Sequence, residues 1–110
     1  MTGHEVAENL RTTKLHWTAG VLHKNVNGVD YFCVLGMKAF EAGVPIKRLD
    51  FAWNFSSIAE VYVINDTAAS PEHSSEARKQ ACIDAFDSPL YRNVNFPVEE
   101  FIQYLKDTTQ

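Results

Sequence analysis

Two hydrophobic patterns alternate along this chain, one with the period of a strand and one with the period of a helix. The most prominent strand-like stretch is 58–64, where β-branched and apolar residues occupy both faces, as in a strand covered on both sides. Eleven mostly small or polar residues, 65–75, follow it, and a helical pattern begins near residue 71. The pattern predicts a central strand, then an exposed loop, then a helix.

Earlier in the chain, the pattern predicts a β-hairpin over 15–35. Residues 15–23 alternate in polarity, with Trp17 on the core face, and 29–35 form the returning strand. The connecting segment ends in Asn-Gly, which tolerates the positive φ angles of tight hairpin turns. Two further strands are predicted, a long one over 46–55 and a short edge strand over 91–96.

Three segments have helical patterns. Residues 3–12 follow a Thr-x-x-Glu capping box and carry a thin apolar stripe. Residues 71–86 begin with a proline, for which Ser70 is the predicted N-cap. Residues 97–107 match the helical spacing fully, through Val98, Phe101, Ile102 and Leu105.

The segment 30–42 admits two interpretations. The five consecutive apolar residues 31–35 favour a strand. A helix is the alternative, because Phe32, Leu35, Gly36, Ala39 and Phe40 fall on one helical face. Gly36 would then lie inside the helix at a cost of about 1 kcal/mol relative to alanine. An intermediate arrangement has a strand to Leu35 and a helical turn over 37–42.

Together these elements predict a single α+β domain over residues 1–110. We expect a four- or five-stranded, mainly antiparallel sheet, with the helices 71–86 and 97–107 packed on one face. If 30–42 is helical, the expected architecture is instead a mixed α/β sandwich with an extra helix at 30–42.

Composition and charge limit the classes of function that we expect for this chain. Apolar residues make up 45% of the 110 residues and charged residues 22%, as in ordinary globular proteins. The net charge is −4 and the ten lysines and arginines are scattered, so we expect no nucleic-acid binding. We also expect no membrane span and no secretion signal, and therefore a cytoplasmic protein. Cys33 and Cys82 lie in apolar surroundings, and burial would raise rather than lower the thiol pKa of Cys33.

No cofactor or metal is expected, because the chain has no phosphate-binding glycine loop and no paired metal ligands. The loop 65–75 holds the remaining candidates for chemistry. Asp66 and His73 could form an acid–base pair, and Ser70 could help bind an anion at the helix start. Strand termination and helix capping explain the same residue types, and we prefer that interpretation.

A second candidate site is an aromatic surface. Trp17 and Trp53 could line a pocket between sheet and helices, with Asp50 as a polar neighbour. The default is that these aromatic residues form the core. We therefore expect a non-catalytic binding or regulatory domain that acts through a protein partner or through self-association. The alternative is a binding protein for a small apolar ligand, or a modest enzyme, that uses the aromatic pocket.

Overall fold

The computed structural model describes residues 1–50, 58–68 and 70–107. In this part of the chain there are six helices: α1 (Gly3–Thr12), α2 (Val34–Glu41), α3 (Ile46–Leu49), α4 (Ala59–Thr67), α5 (Ser75–Phe86) and α6 (Val98–Asp107). There are three strands: β1 (His16–Trp17), β2 (His23–Val26) and β3 (Val29–Phe32). The described residues are 55% helical and 12% strand and contain one three-stranded sheet, so the prediction of a four- or five-stranded sheet is wrong.

The sheet is mixed rather than mainly antiparallel, with strand order β1-β3-β2. The hairpin lies within the predicted segment, but its strands are β2 and β3, joined by Asn27 and Gly28 with φ angles of 52° and 85°. These positive angles are what the Asn-Gly signal predicted. Strand β1 pairs in parallel with β3, with Trp17 opposite Phe32. The predicted strand 15–23 is wrong, because His16 and Trp17 lie in β1, His23 begins β2, and the residues between them are not in the sheet.

The predicted central strand at 58–64 is a helix, α4. Its buried residues Ile58, Val61, Ile64 and Asn65 recur at helical spacing, and Val63 between them is 59% exposed. Tertiary packing of this face overrides the strand preference of the β-branched side chains. The buried asparagine in the stripe hid the helical period, because a polar residue reads as the start of a loop.

The other two predicted strands, 46–55 and 91–96, are not found among the described residues. Residues 46–49 form the short helix α3, and 51–57 lie outside the described residues. In 91–96 there is only an isolated antiparallel bridge between Asn95 and Thr2 within the described chain. Local turns and backbone hydrogen bonds to residues 1–4, rather than pairing along a sheet edge, hold this segment.

The helices at both ends of the chain are confirmed. Helix α1 has the predicted capping box, with the Thr2 side chain accepting from the Glu5 amide and Glu5 accepting from the Thr2 amide. Helix α6 buries the predicted stripe of Val98, Phe101, Ile102 and Leu105. Helix α5 begins later than predicted, at Ser75, with Ser74 rather than Ser70 as its N-cap.

Both interpretations of 30–42 are partly correct, since β3 ends at Phe32 and α2 begins at Val34. Cys33 lies between them as the N-cap of α2, with its sulfur accepting from the Gly36 amide. Gly36 is required inside this helix, because an added Cβ would lie 1.9 Å from the Leu22 carbonyl oxygen. The first turn of α2 therefore packs directly against the backbone that leads into β2. The alternative α/β sandwich is nevertheless also wrong, because residues 1–50, 58–68 and 70–107 contain only one small three-stranded sheet.

The core lies between the sheet and the helices. Its largest fully buried side chains come from every part of the described chain, from α1 to α6: Trp17, Phe32, Phe86, Phe101, Leu10, Leu35, Met37, Ile58, Leu105, Val6, Val44 and Val61. The sheet covers one side of this core and its other face is exposed.

Candidate binding surface on the sheet

The six residues singled out from the sequence do not form one site. Trp17 and Asp66 belong to a buried network around Asn65. Asp50 instead binds His23 at the end of the hairpin. Ser70 accepts a hydrogen bond from the Glu72 amide and His73 is exposed, both in the segment before α5. Trp53 lies outside the described residues.

Asn65 is the centre of the buried network. Its Oδ1 accepts from the Trp17 indole at 2.8 Å and from the Val34 amide at 3.0 Å. Its Nδ2 donates to the Thr18 carbonyl at 3.1 Å and to Asp66 at 3.0 Å. All the hydrogen-bonding capacity of the amide is used by the protein. The network joins α4 to β1 and to the start of α2, which is a structural role.

Arg78 of α5 covers this network from the side. Its guanidinium carbon lies 5.1 Å from the centre of the Trp17 ring, within cation–π range. The same guanidinium donates to the backbone carbonyls of Ala68 and Asp66, at the end of α4. Trp17 is consequently 1% exposed, and its indole N–H and one ring face are both engaged.

Neither cysteine has the properties of a nucleophile. Both thiols are free and buried, and burial raises the pKa of Cys33 and of Cys82 to about 12. A thiol with this pKa holds its proton at neutral pH, and the reactive form is the thiolate. The sequence prediction that burial would raise the pKa of Cys33 is confirmed, and burial has the same effect on the pKa of Cys82.

His23 forms a second polar cluster, at the base of the hairpin, which we call the histidine clasp (His23, Asp30 and Asp50). The Nδ1 of His23 lies 2.7 Å from an Asp50 oxygen, and the Nε2 of the same ring lies 2.8 Å from an Asp30 oxygen. Burial alone lowers the pKa of His23, but the hydrogen bonds and charges of the two carboxylates outweigh it and raise the pKa. The protonated ring donates at both nitrogens and so connects the hairpin to the end of α3.

Sequence patterns did not identify the histidine clasp. The information that could have located it is the Asn-Gly turn, which fixes the hairpin register. That register sets His23 opposite Phe32 and Asn25 opposite Asp30, so His23 and Asp30 are diagonal neighbours on one face. The contribution of Asp50 depends on α3, which the sequence pattern presented as a strand.

The opposite face of the sheet is exposed except for Tyr31, which is half-buried. We call this face the open face, and its residues are His16, Lys24, Val26, Val29 and Tyr31. Val26 and Val29 are 44% and 38% exposed, and the rings of His16 and Tyr31 are in contact at 5.3 Å between centres. An aromatic pair, two β-branched residues and a lysine therefore share one exposed surface of a chain whose net charge is −4.

A narrow apolar crevice lies between the helices, lined by Met1, Val6, Asn9, Val34, Leu35, Lys38, Val61 and Val98. It is too narrow to admit a water molecule. In the described part of the chain, the Nδ2 of Asn9 is the buried side-chain polar atom that has no hydrogen-bond partner. Such an atom costs about 1–3 kcal/mol and calls for a specific explanation.

A wider, open groove of about 240 Å³ lies where α1 meets α5. Its lining is Leu10, Arg11, Glu76, Lys79, Gln80 and Ile83. Arg11 is already committed to ion pairs with Glu8 and Asp87. The groove is therefore a solvated polar surface with mixed charge.

Among the described residues, no three His, Cys, Asp or Glu side chains converge on a common metal position. None of the helices in this part of the chain has the length and apolar character needed to cross a membrane. The chain matches no known family model, and comparison with curated proteins and with solved structures found no significant similarity.

Proposed function

We propose that this protein is a non-catalytic binding domain that docks a partner protein on the open face of its sheet. The observation that carries the proposal is the composition of this face. Tyr31 and His16 form an aromatic pair beside Val26 and Val29, and all four lie on the side of the sheet away from the core. Aromatic residues are enriched at protein interfaces, where they bury a large area at a low entropy cost.

The side chains that could take part in a reaction have structural contacts in the described residues. Both nitrogens of His23 are bound by carboxylates, and both thiols hold their protons at neutral pH. Trp17 is enclosed by Asn65 and Arg78. These residues hold the fold together, which supports a function carried by an exposed surface.

The test is quantitative affinity capture from the source cell extract with matched variants. The open-face variant carries Val26→Thr, Val29→Thr and Tyr31→Thr, which keep β-branched residues in the strands. The control is Leu90→Ser, which removes a 69% exposed apolar side chain outside the sheet. We expect one partner to be captured by the wild type and by the control, and at least tenfold less by the open-face variant.

Equal capture by all three folded proteins would show that the open face is not the binding surface. Thermal unfolding of each variant is measured in parallel, so that loss of binding is not mistaken for loss of folding. The partner must then bind the purified wild type directly, with the same ranking of the variants.

A further inference from the structure

The outer edge of β2 has backbone groups that point away from the sheet. The two-residue turn makes Val26 and Val29 a hydrogen-bonded pair, and such pairs alternate along an antiparallel ladder. Lys24 and Tyr31 are therefore the next bonded pair. The bond from the Cys33 amide to the Leu22 carbonyl, 3.2 Å long, continues the same alternation. The N–H and C=O groups of His23 and Asn25 consequently face outward.

Residues 1–50, 58–68 and 70–107 supply no backbone partner for these outward groups. Because β2 is the last strand in the order β1-β3-β2, an extended peptide could pair with it and add a fourth strand. His23 and Asn25 would offer up to four backbone hydrogen bonds. Strand addition of this kind gives affinity through the main chain and specificity through alternate side chains.

Charge determines which peptide fits. On the open face, Lys24 projects beside this edge, and it has no ion pair within the described part of the chain. The other face carries the carboxylates of Asp30 and Asp50. A partner residue opposite Lys24 is thus favoured when acidic, whereas an acidic residue on the other face is repelled.

The second open-face position of β2 is Val26, which packs beside Val29 across the turn-proximal pair. A partner residue two positions from the acidic one would lie next to this apolar pair. β-branched side chains pack best at such a position. The edge therefore prefers an acidic residue and a β-branched apolar residue separated by one neutral residue.

Resting on the proposed function, we propose that the partner binds by adding an extended strand of this acidic pattern to the outer edge of β2. A second copy of the chain fits less well, because it brings its own Lys24 to the edge and leaves both ammonium groups uncompensated. The net charge of −4 likewise favours a peptide over a phosphate backbone.

The test uses a capped synthetic pentapeptide of threonine, glutamate, threonine, valine and threonine, titrated into the isotopically labelled full chain. We expect binding in the millimolar range and slower solvent exchange of the His23 and Asn25 amides. Two matched peptides serve as controls. One replaces glutamate with lysine, and the other carries N-methyl groups on the amides that face β2, which removes its donors to the strand.

Both control peptides should bind at least tenfold more weakly than the parent peptide. On the protein side, Lys24→Glu should weaken binding at least tenfold, whereas Lys106→Glu, the same charge reversal on α6, should not. Binding that ignores Lys24→Glu, shifts that map to another surface, or no binding at 10 mM peptide would each overturn the inference. Self-association of the free protein through the same edge would also overturn it.

A further variant separates this inference from the proposed function. Asn25→Pro removes one outward N–H at a residue whose backbone is not hydrogen-bonded to β3, and proline is tolerated on edge strands. It also removes the side-chain bonds of Asn25 to Asp30 and to the Gly28 amide, so Asn25→Ala, which loses only those bonds, is the matched control. Loss of the captured partner in Asn25→Pro and in the open-face variant, with capture kept by Asn25→Ala, supports strand addition. Loss in the open-face variant alone keeps the proposed function and overturns strand addition. If neither variant loses the captured partner, both the proposed function and strand addition are overturned.

Discussion

Asn65 and His23 are both polar side chains that join distant segments, but they do so in opposite ways. Asn65 is neutral and 0% exposed, and its amide bonds to buried groups of Trp17, Thr18 and Val34. Its fourth bond goes to the exposed Asp66 at the next position of α4. The His23 side chain is 5% exposed, but its partners Asp30 and Asp50 are 41% and 45% exposed. The first junction is closed to solvent, and the second is bordered by water and depends on a proton.

The difference shows which part of the molecule can respond to its surroundings. Three of the four bonds of Asn65 join neutral, buried groups and are therefore the same at any pH and salt concentration, and only the bond to Asp66 has a carboxylate partner. A charged junction at the surface is screened by salt and changes with the protonation state. The clasp adjoins the hairpin that carries the open face, so the adjustable junction is next to the proposed binding surface.

The largest expected effect comes from Asn65→Leu. The change removes the partners of the Trp17 indole, the Val34 amide and the Thr18 carbonyl at once. Each buried group left unpaired costs about 1–3 kcal/mol, so we expect the free energy of unfolding to fall by about 3 kcal/mol or more. Urea unfolding measures this free energy. The matched control is Asn93→Leu at an exposed turn position, which should change stability by less than about 0.5 kcal/mol.

If Asn65→Leu were as stable as the wild type, the network would have no structural role and the comparison would fail. A loss similar to that of Asn93→Leu would lead to the same conclusion. Near-complete unfolding would agree with the prediction, because small domains have only about 5–15 kcal/mol of total stability.

A smaller effect, and one that depends on pH, is expected from His23→Gln. The folded-state pKa of His23 is raised, so its protonated form is favoured by folding. Its contribution is fully present below the unfolded pKa of about 6.5, and it is lost as pH rises through the folded value. At pH 6 we expect His23→Gln to cost about 1 to 2 kcal/mol, a range reduced for the exposure of the two carboxylates.

Unfolding curves from pH 5.5 to pH 9 test this expectation. The difference between wild type and His23→Gln should shrink toward high pH, and it should be smaller in 1 M salt. His73→Gln at an exposed position is the control and should leave the pH dependence unchanged. A difference that is constant with pH would mean that His23 acts by packing alone.

The same contrast explains how much of the fold the sequence could predict. The helix Val98–Asp107 and the Asn27-Gly28 turn were predicted correctly because each depends on local spacing or on the φ angle of a single turn. Helix α4 was missed because its stripe includes Asn65, whose burial depends on Trp17, Thr18 and Val34. Those partners are 31 to 48 residues away along the chain.

The candidate site was harder to predict than the fold. Trp17 was expected to be buried by default, and it is, but the pocket hypothesis needed partners that no pattern specifies. The open face follows from the hairpin register once β2 is placed at 23–26. Placing the strand at 15–23 instead assigned the wrong residues to each face, since register fixes which side chains are exposed.

The smallest expected effect on stability comes from substitutions on the open face. The open-face variant with Val26→Thr, Val29→Thr and Tyr31→Thr should lose only about 0.5 kcal/mol, because these side chains lie outside the core and threonine keeps the strand preference. Urea unfolding measures it beside Asn65→Leu. A loss as large as that of Asn65→Leu would show that the open face packs against the fold. A near-silent change, with lost partner capture, would show that binding and folding are carried by opposite faces of one sheet.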